Sequence, residues 1–156
     1  MVFETKVAIL VLDELAVWQK LNITAFLATG IAGAAPEAMG EPYEDAAGRH
    51  HARLLGQPML IFTATSGQLQ RAYKQGIERN LTRAVYVRAM FSTGHDAANR
   101  AAFQAEPADA PDLVGIAVRG LRKDVDKATK GLTISHDQFV EGDGAVSWTV
   151  NVGRHR

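Results

Sequence analysis

Lys6-Val7-Ala8-Ile9-Leu10-Val11-Leu12, closed by Asp13, is the stretch that decides the fold. It is short, rich in β-branched residues and without polar alternation, as expected of a strand buried on both faces. Asp13 offers a turn or cap, and Ala16 to about Gly33 then reads as a helix, stopped by Gly33 and Pro36. Small residues recur along it (Ala25, Ala28, Gly30, Ala32, Gly33), which lets a helix sit close to a sheet.

The same alternation continues. Met59 to Ala64 (MLIFTA) is a second strand, and Thr65 with Gln68 forms a capping box opening a second helix. Leu69, Ala72, Tyr73, Gly76 and Ile77 give that helix one apolar stripe. Thr82 to Phe91 holds a third strand centred on Ala84 to Val87. A short helix over Asp96 to Phe103 and a loop over Glu106 to Pro111 follow. Asp112 to Arg119 is a fourth strand, and Leu121 to Lys130 a helix ended by Gly131. Strands alternating with helices imply an α/β domain with a mostly parallel sheet, covered on both faces and wound by right-handed crossovers. Between the first helix and the second strand, residues 34–58 show no period. Six Pro and Gly residues there and a long span suggest a hairpin near Asp45 to Gly48, carrying Tyr43. Residues 1–132 read as one domain and 133–156 as an extension, with a hairpin turning at Gly142-Asp143-Gly144.

Composition bounds the function classes. The 156 residues suit a single domain with its own core. Seventeen basic residues balance seventeen acidic ones, so a nucleic-acid partner is not expected. The five cations Arg71, Lys74, Arg79, Arg83 and Arg88 against Glu78 read as a solvated helix face. With no cysteine, the chain has no disulfide, thiolate metal site or cysteine nucleophile. His50-His51 lacks metal-ligand spacing, and no dinucleotide, P-loop or nucleophile-elbow motif is present, so no metal and no cofactor are expected. No apolar run is long enough to span a membrane, and the apolar run near the start is too short for a secretory signal. A cytoplasmic location is the expectation.

Ligands of open α/β sheets bind beyond the carboxyl ends of the strands. Three polar clusters fall there: Asp13 to Thr24, Thr63 to Gln68 and Ser92 to Arg100. Lys20 and Thr24 share a helix face, with Asn22 pointing elsewhere; Lys20 suits an anionic group or developing negative charge. His95 and Asp96 are candidates for acid–base work or for orienting a water. Asp96 has a second reading as a helix cap, through its Thr93-x-x-Asp96 spacing. Asn99 and Arg100 lie one turn on, where Arg100 can clamp a carboxylate or phosphate. Tyr43, with Asp45, is placed for a lid. The expected chemistry is a small hydrolase or transferase on a polar or anionic small molecule, using Lys20, Asp96 and His95. Thr24, Asn22, Tyr43, Thr93, Asn99 and Arg100 would bind the ligand. The alternative is a ligand-binding protein without catalysis.

Four blocks carry a resemblance: Ala16 to Leu27 (AVWQKLNITAFL), Gly40-Glu41-Pro42-Tyr43, Met90 to Arg100 (MFSTGHDAANR) and Val125 to Gly131 (VDKATKG). They resemble an uncharacterised bacterial family, domain of unknown function two thousand, over residues 3–131. That family is similar in fold to peptidyl-tRNA hydrolase II. The resemblance implies a three-layer α/β/α sandwich on a mixed four-stranded sheet, and a homodimer. Lys20 is similar in place to the hydrolase's first-helix lysine, but Thr24 stands where its glutamine would be. Asp96 stands near the hydrolase's loop aspartate. Peptidyl-tRNA hydrolysis is therefore the least favoured of the three readings.

Overall fold

A computed structural model describes residues 3–132. The opening run forms β1 (Thr5–Leu12), whose residues Val7 to Leu12 are all buried. The chain turns through Asp13, whose N–H donates to the Ala64 carbonyl at 2.9 Å, into α1 (Val17–Ala34). The Gln19 side chain accepts from the Ala16 N–H at 3.0 Å and closes the helix start. Ile23, Leu27 and Ile31 pack on the sheet. Pro36 opens a short 3-10 turn, Pro36–Ala38.

The irregular connection does hold a hairpin, β2 (Tyr43–Glu44) against β3 (His50–His51). Asp45 builds its turn, accepting from the N–H groups of Ala47 and Arg49 at 2.9 and 3.1 Å. Gly48 completes it at φ 79°, a conformation that favours glycine. Then come β4 (Met59–Ala64) and α2 (Ser66–Glu78), whose capping box has Gln68 N–H on Thr65 Oγ1 at 3.2 Å and Thr65 N–H on Gln68 Oε1 at 2.8 Å. The α2 stripe buries Leu69, Ala72 and Gly76, while Ile77 at its end stays exposed. β5 (Thr82–Val87) lies within the stretch read as the third strand, and Arg88–Ser92 then coils into a 3-10 turn. α3 (Asp96–Gln104), β6 (Leu113–Leu121) and α4 (Arg122–Ala128) complete the order.

The sheet runs β4-β1-β6-β5. β1 pairs in parallel with β4, while β6 is antiparallel to both β1 and β5. The sheet is mixed, as the resemblance implies, but the expectation that it is mostly parallel is corrected: one pairing is parallel and two are antiparallel. Three strands do share one direction, but β6 lies between two of them and reverses two of the three pairings. After β5 the chain re-enters the sheet at the edge it left, with Val87 opposite Leu113 and the Arg88 N–H on the Asp112 carbonyl at 3.0 Å. An apolar run such as Leu-Val-Gly-Ile-Ala-Val records burial on both faces, and burial is the same in either direction.

Two glycines show which helix meets which strand. A Cβ on Gly115 of β6 would come within 3.0 Å of Ile23 and Leu27 of α1. A Cβ on Gly30 of α1 would sit 2.7 Å from the Ala84 Cβ, so α1 and β5 touch at backbone distance. α2 and α4 pack on each other and on β6 and β1. The sequence-predicted hairpin in 133–156 lies outside the described residues.

Candidate functional site

β1, β4 and β5 point the same way, so their carboxyl ends and the polar clusters that follow lie at one edge of the sheet. Lys20 continues the sheet-facing stripe of Ile23, Leu27 and Ile31 toward that edge; its ammonium lies 3.7 Å from the Asp13 carboxylate, with the side chain 25% exposed. The Thr24 hydroxyl donates to the Lys20 carbonyl at 2.7 Å, an ordinary bond to the preceding helical turn. Thr65 is occupied as a helix cap.

At the other end, His95 is the N-cap of α3, and its Nδ1 accepts from the Ala98 N–H at 3.2 Å. That bond fixes the tautomer with the proton on Nε2. The Thr93-x-x-Asp96 spacing does not form a capping box: the Thr93 hydroxyl lies between the Met90 carbonyl and the Asn99 carboxamide, and Asp96 is the first residue of α3. Asp96 forms an ion pair with Arg100, four residues on, and both are exposed. Tyr43 is exposed on β2, opposite His51. On that hairpin His51 Nε2 lies 3.2 Å from Asp45, and together with Arg49 it holds the Asp45 carboxyl below its ordinary value.

What the structure adds is aromatic. Trp18, Asn22 and Phe26 follow at i, i+4 and i+8 along one flank of α1. Trp18 meets Phe91 edge-on at 5.9 Å, Phe91 meets Tyr86 at 5.3 Å, and Tyr86 meets Phe26 at 6.1 Å. Tyr86 is buried, which pushes its phenol above the ordinary value, and a hydrogen bond with Asn22 partly offsets the shift.

Below this cluster lies a hollow of about 290 Å³. α1 supplies Phe26, Leu27 and Gly30 to it, and β5 supplies Ala84, Val85 and Tyr86. Met90 and Phe103 extend the apolar wall, and Asp96, Asn99 and Arg100 of α3 form its polar part. Of the residues singled out from sequence, the hollow gathers these last three. Lys20, Thr24, His95 and Thr93 do not line it. Phe26, Tyr86, Met90 and Phe103 were not singled out as site residues; the Trp18-x₃-Asn22-x₃-Phe26 spacing beside the buried stripe was the available signal.

The basic residues of 66–88 make structural ties. Arg79 pairs with Asp124 at 2.9 Å and Arg88 with Asp112 at 3.1 Å, while Arg83 donates to the carbonyls of Gly76 and Leu81. None of the helices in the described residues is long and apolar enough to cross a membrane.

No curated protein matches the chain. Among solved structures it is similar to a protein of unknown function, Atu0240, from Agrobacterium tumefaciens strain C58. The two are 44% identical with a TM-score of 0.81, over 85% of this chain and 98% of that one. The sequence model of the family described as protein of unknown function (DUF2000) matches residues 5–135, and the chain belongs to that family.

Proposed function

We propose that this protein is a ligand-binding homodimer without catalysis, holding a small, largely apolar molecule in the hollow between α1, β5 and α3. The hollow itself carries the reading. Its volume of about 290 Å³ is near the lower end of small-molecule sites. Its lining has the composition of such sites, apolar and aromatic with a few polar groups at one side. The hydrolase or transferase reading has less support, because its three groups have partners away from a shared substrate position. Lys20 faces Asp13, His95 caps α3, and Asp96 pairs with Arg100.

A thermal-shift screen of metabolites tests the reading, since a ligand raises stability by mass action. Hits should shift the amide resonances of Ala84, Val85 and Phe103, and Asn99→Trp should abolish them while leaving the far-UV circular dichroism intact. Hits that map to Lys20 and Thr65, or that the protein converts, would overturn it.

The homodimer is supported by the outward face of α1. Lys20 is the one charged residue among its 18. Val17, Trp18, Leu21 and Phe26 are 69, 62, 40 and 55% exposed. A helix apolar all round is normally covered, and an exposed apolar patch marks an interaction surface. The family match ends at residue 135, and 85% of this chain covers 98% of the Agrobacterium one. A cover shared by the family is therefore better supplied by a second α1 than by residues 133–156. Light scattering should give about twice the 16.9 kDa chain mass, and Leu21→Lys should give the monomer; a monomeric native protein at high concentration refutes the dimer. The frame we infer is a three-layer α/β/α sandwich of peptidyl-tRNA hydrolase II type, supported by α1 on the Gly115 face of β6 and by Gly76 of α2 beside Val118, three residues along the same strand.

A further inference from the structure

We infer that the ligand of this hollow is a small carboxylate with an aromatic or branched apolar body, bound by Arg100. Asp96 is the internal anion that occupies the guanidinium until the ligand arrives. This rests on the ligand-binding reading above and adds the chemistry of the ligand.

Three observations carry it. First, the polar part of the lining contains one cation and one anion, and they are paired with each other across one turn of α3. Among the described residues Arg100 pairs with no other carboxylate. Second, the pair is open: the side chains of Arg100 and Asp96 are 69 and 81% exposed. An exposed pair four residues apart is weakly held and exchanges readily. Third, the rest of the wall, from Phe26 across Val85 to Phe103, is apolar. The site therefore presents an exchangeable guanidinium beside a surface that gains from covering an apolar body.

The choice of an anion over a cation follows from the position of the two groups. Asp96 is the first residue of α3, where the helix N-terminus favours negative charge. When Arg100 turns to another carboxylate, Asp96 keeps that favourable setting and its water. The exchange at Arg100 is then nearly even electrostatically, and burial of the ligand's apolar body drives it. An amine would have to take Asp96 from both Arg100 and the helix end, and would leave Arg100 without an anion. The planar guanidinium also matches a carboxylate through two parallel hydrogen bonds.

The test uses three probes of one size, 3-phenylpropanoate, 3-phenylpropan-1-ol and 3-phenylpropylamine, titrated into the full chain and followed by amide resonances. The carboxylate should bind about tenfold more tightly than the other two, the scale of one charge-assisted contact. Arg100→Gln should lower carboxylate affinity about tenfold and leave the alcohol unchanged. Asp96→Asn removes the internal competitor and should raise carboxylate affinity about threefold. A residue that merely supported the fold would give no such gain. Equal binding of carboxylate and alcohol, or weaker carboxylate binding in Asp96→Asn, overturns the proposal. So does tightest binding of the amine, which would make Asp96 the anchor. In each of these cases, shifts at Ala84, Val85 and Phe103 keep the ligand-binding reading alive. If no probe moves those resonances, both fall.

Discussion

The two flanks of α1 use one helix in opposite ways. Toward the carboxyl ends of β1 and β4, Lys20 and Thr24 find partners close by, one in Asp13 and the other in its own backbone. Toward β5, Trp18, Asn22 and Phe26 meet a string of rings, Phe91 and Tyr86 among them, and beneath it the hollow opens. The difference concerns how each residue type fills space. Short polar groups satisfied locally close over a surface, whereas large rigid rings tilted against one another leave concavities that only a matching shape can fill. The polar flank resembles a site in sequence, and the aromatic flank resembles one in shape.

The largest test of this contrast is at Gly30. Valine there must lift α1 from β5, because even its Cβ would lie 2.7 Å from the Ala84 Cβ. Urea unfolding should show a loss of about 3 kcal/mol, the upper part of the range for overpacked cores. Gly33→Val is the control, since a Cβ there meets nothing within 4 Å. Equal stability of the two variants would break the close approach on which the hollow depends.

Asn22→Leu comes next. It keeps the branched shape but removes the carboxamide that interacts with the Tyr86 phenol, and should cost about 1 kcal/mol in the same measurement, the net worth of one ordinary hydrogen bond. An unchanged midpoint would detach Asn22 from the aromatic flank.

Tyr86 then sharpens the comparison through pH. Its folded pKa is raised, so the folded protein holds the phenol proton more tightly than the unfolded chain. The associated stability is fully present below the ordinary tyrosine value near 10 and is lost as pH rises through the higher folded value. Unfolding followed above pH 10 should therefore show a steeper loss in the native protein than in Tyr86→Phe. Parallel curves would mean that the ring is not buried as described.

The smallest effect is expected on the polar flank. Lys20→Met should change stability by less than about 1 kcal/mol, as for other partly exposed pairs. It should leave 3-phenylpropanoate binding unchanged. Loss of that binding would move the site back to the crevice beyond β1 and β4.

Much of the architecture was legible because local pattern and final environment agree. Val7 to Leu12 is apolar throughout and buried in the sheet; Thr65 and Gln68 have capping-box spacing and form the box; Asp45 to Gly48 has turn residues and turns. β6 escaped because its apolar run states burial and not direction. The site was read in part. Asp96, Asn99 and Arg100 were found as polar residues after a strand, which is where they lie. Phe26, Tyr86, Met90 and Phe103 were not, since single aromatic residues in apolar segments read as core.

The sequence by itself determined which segments become helix and strand, and that β1 would be buried on both faces, because periodicity and turn chemistry act over a few residues. Only the tertiary structure decided that β6 slots in reversed between β1 and β5, and that Phe26 and Phe103, 77 positions apart, share a wall with Arg100. Those outcomes depend on where a connection re-enters the sheet and on how closely one glycine lets a helix approach a strand. Neither quantity is written in any single stretch of residues.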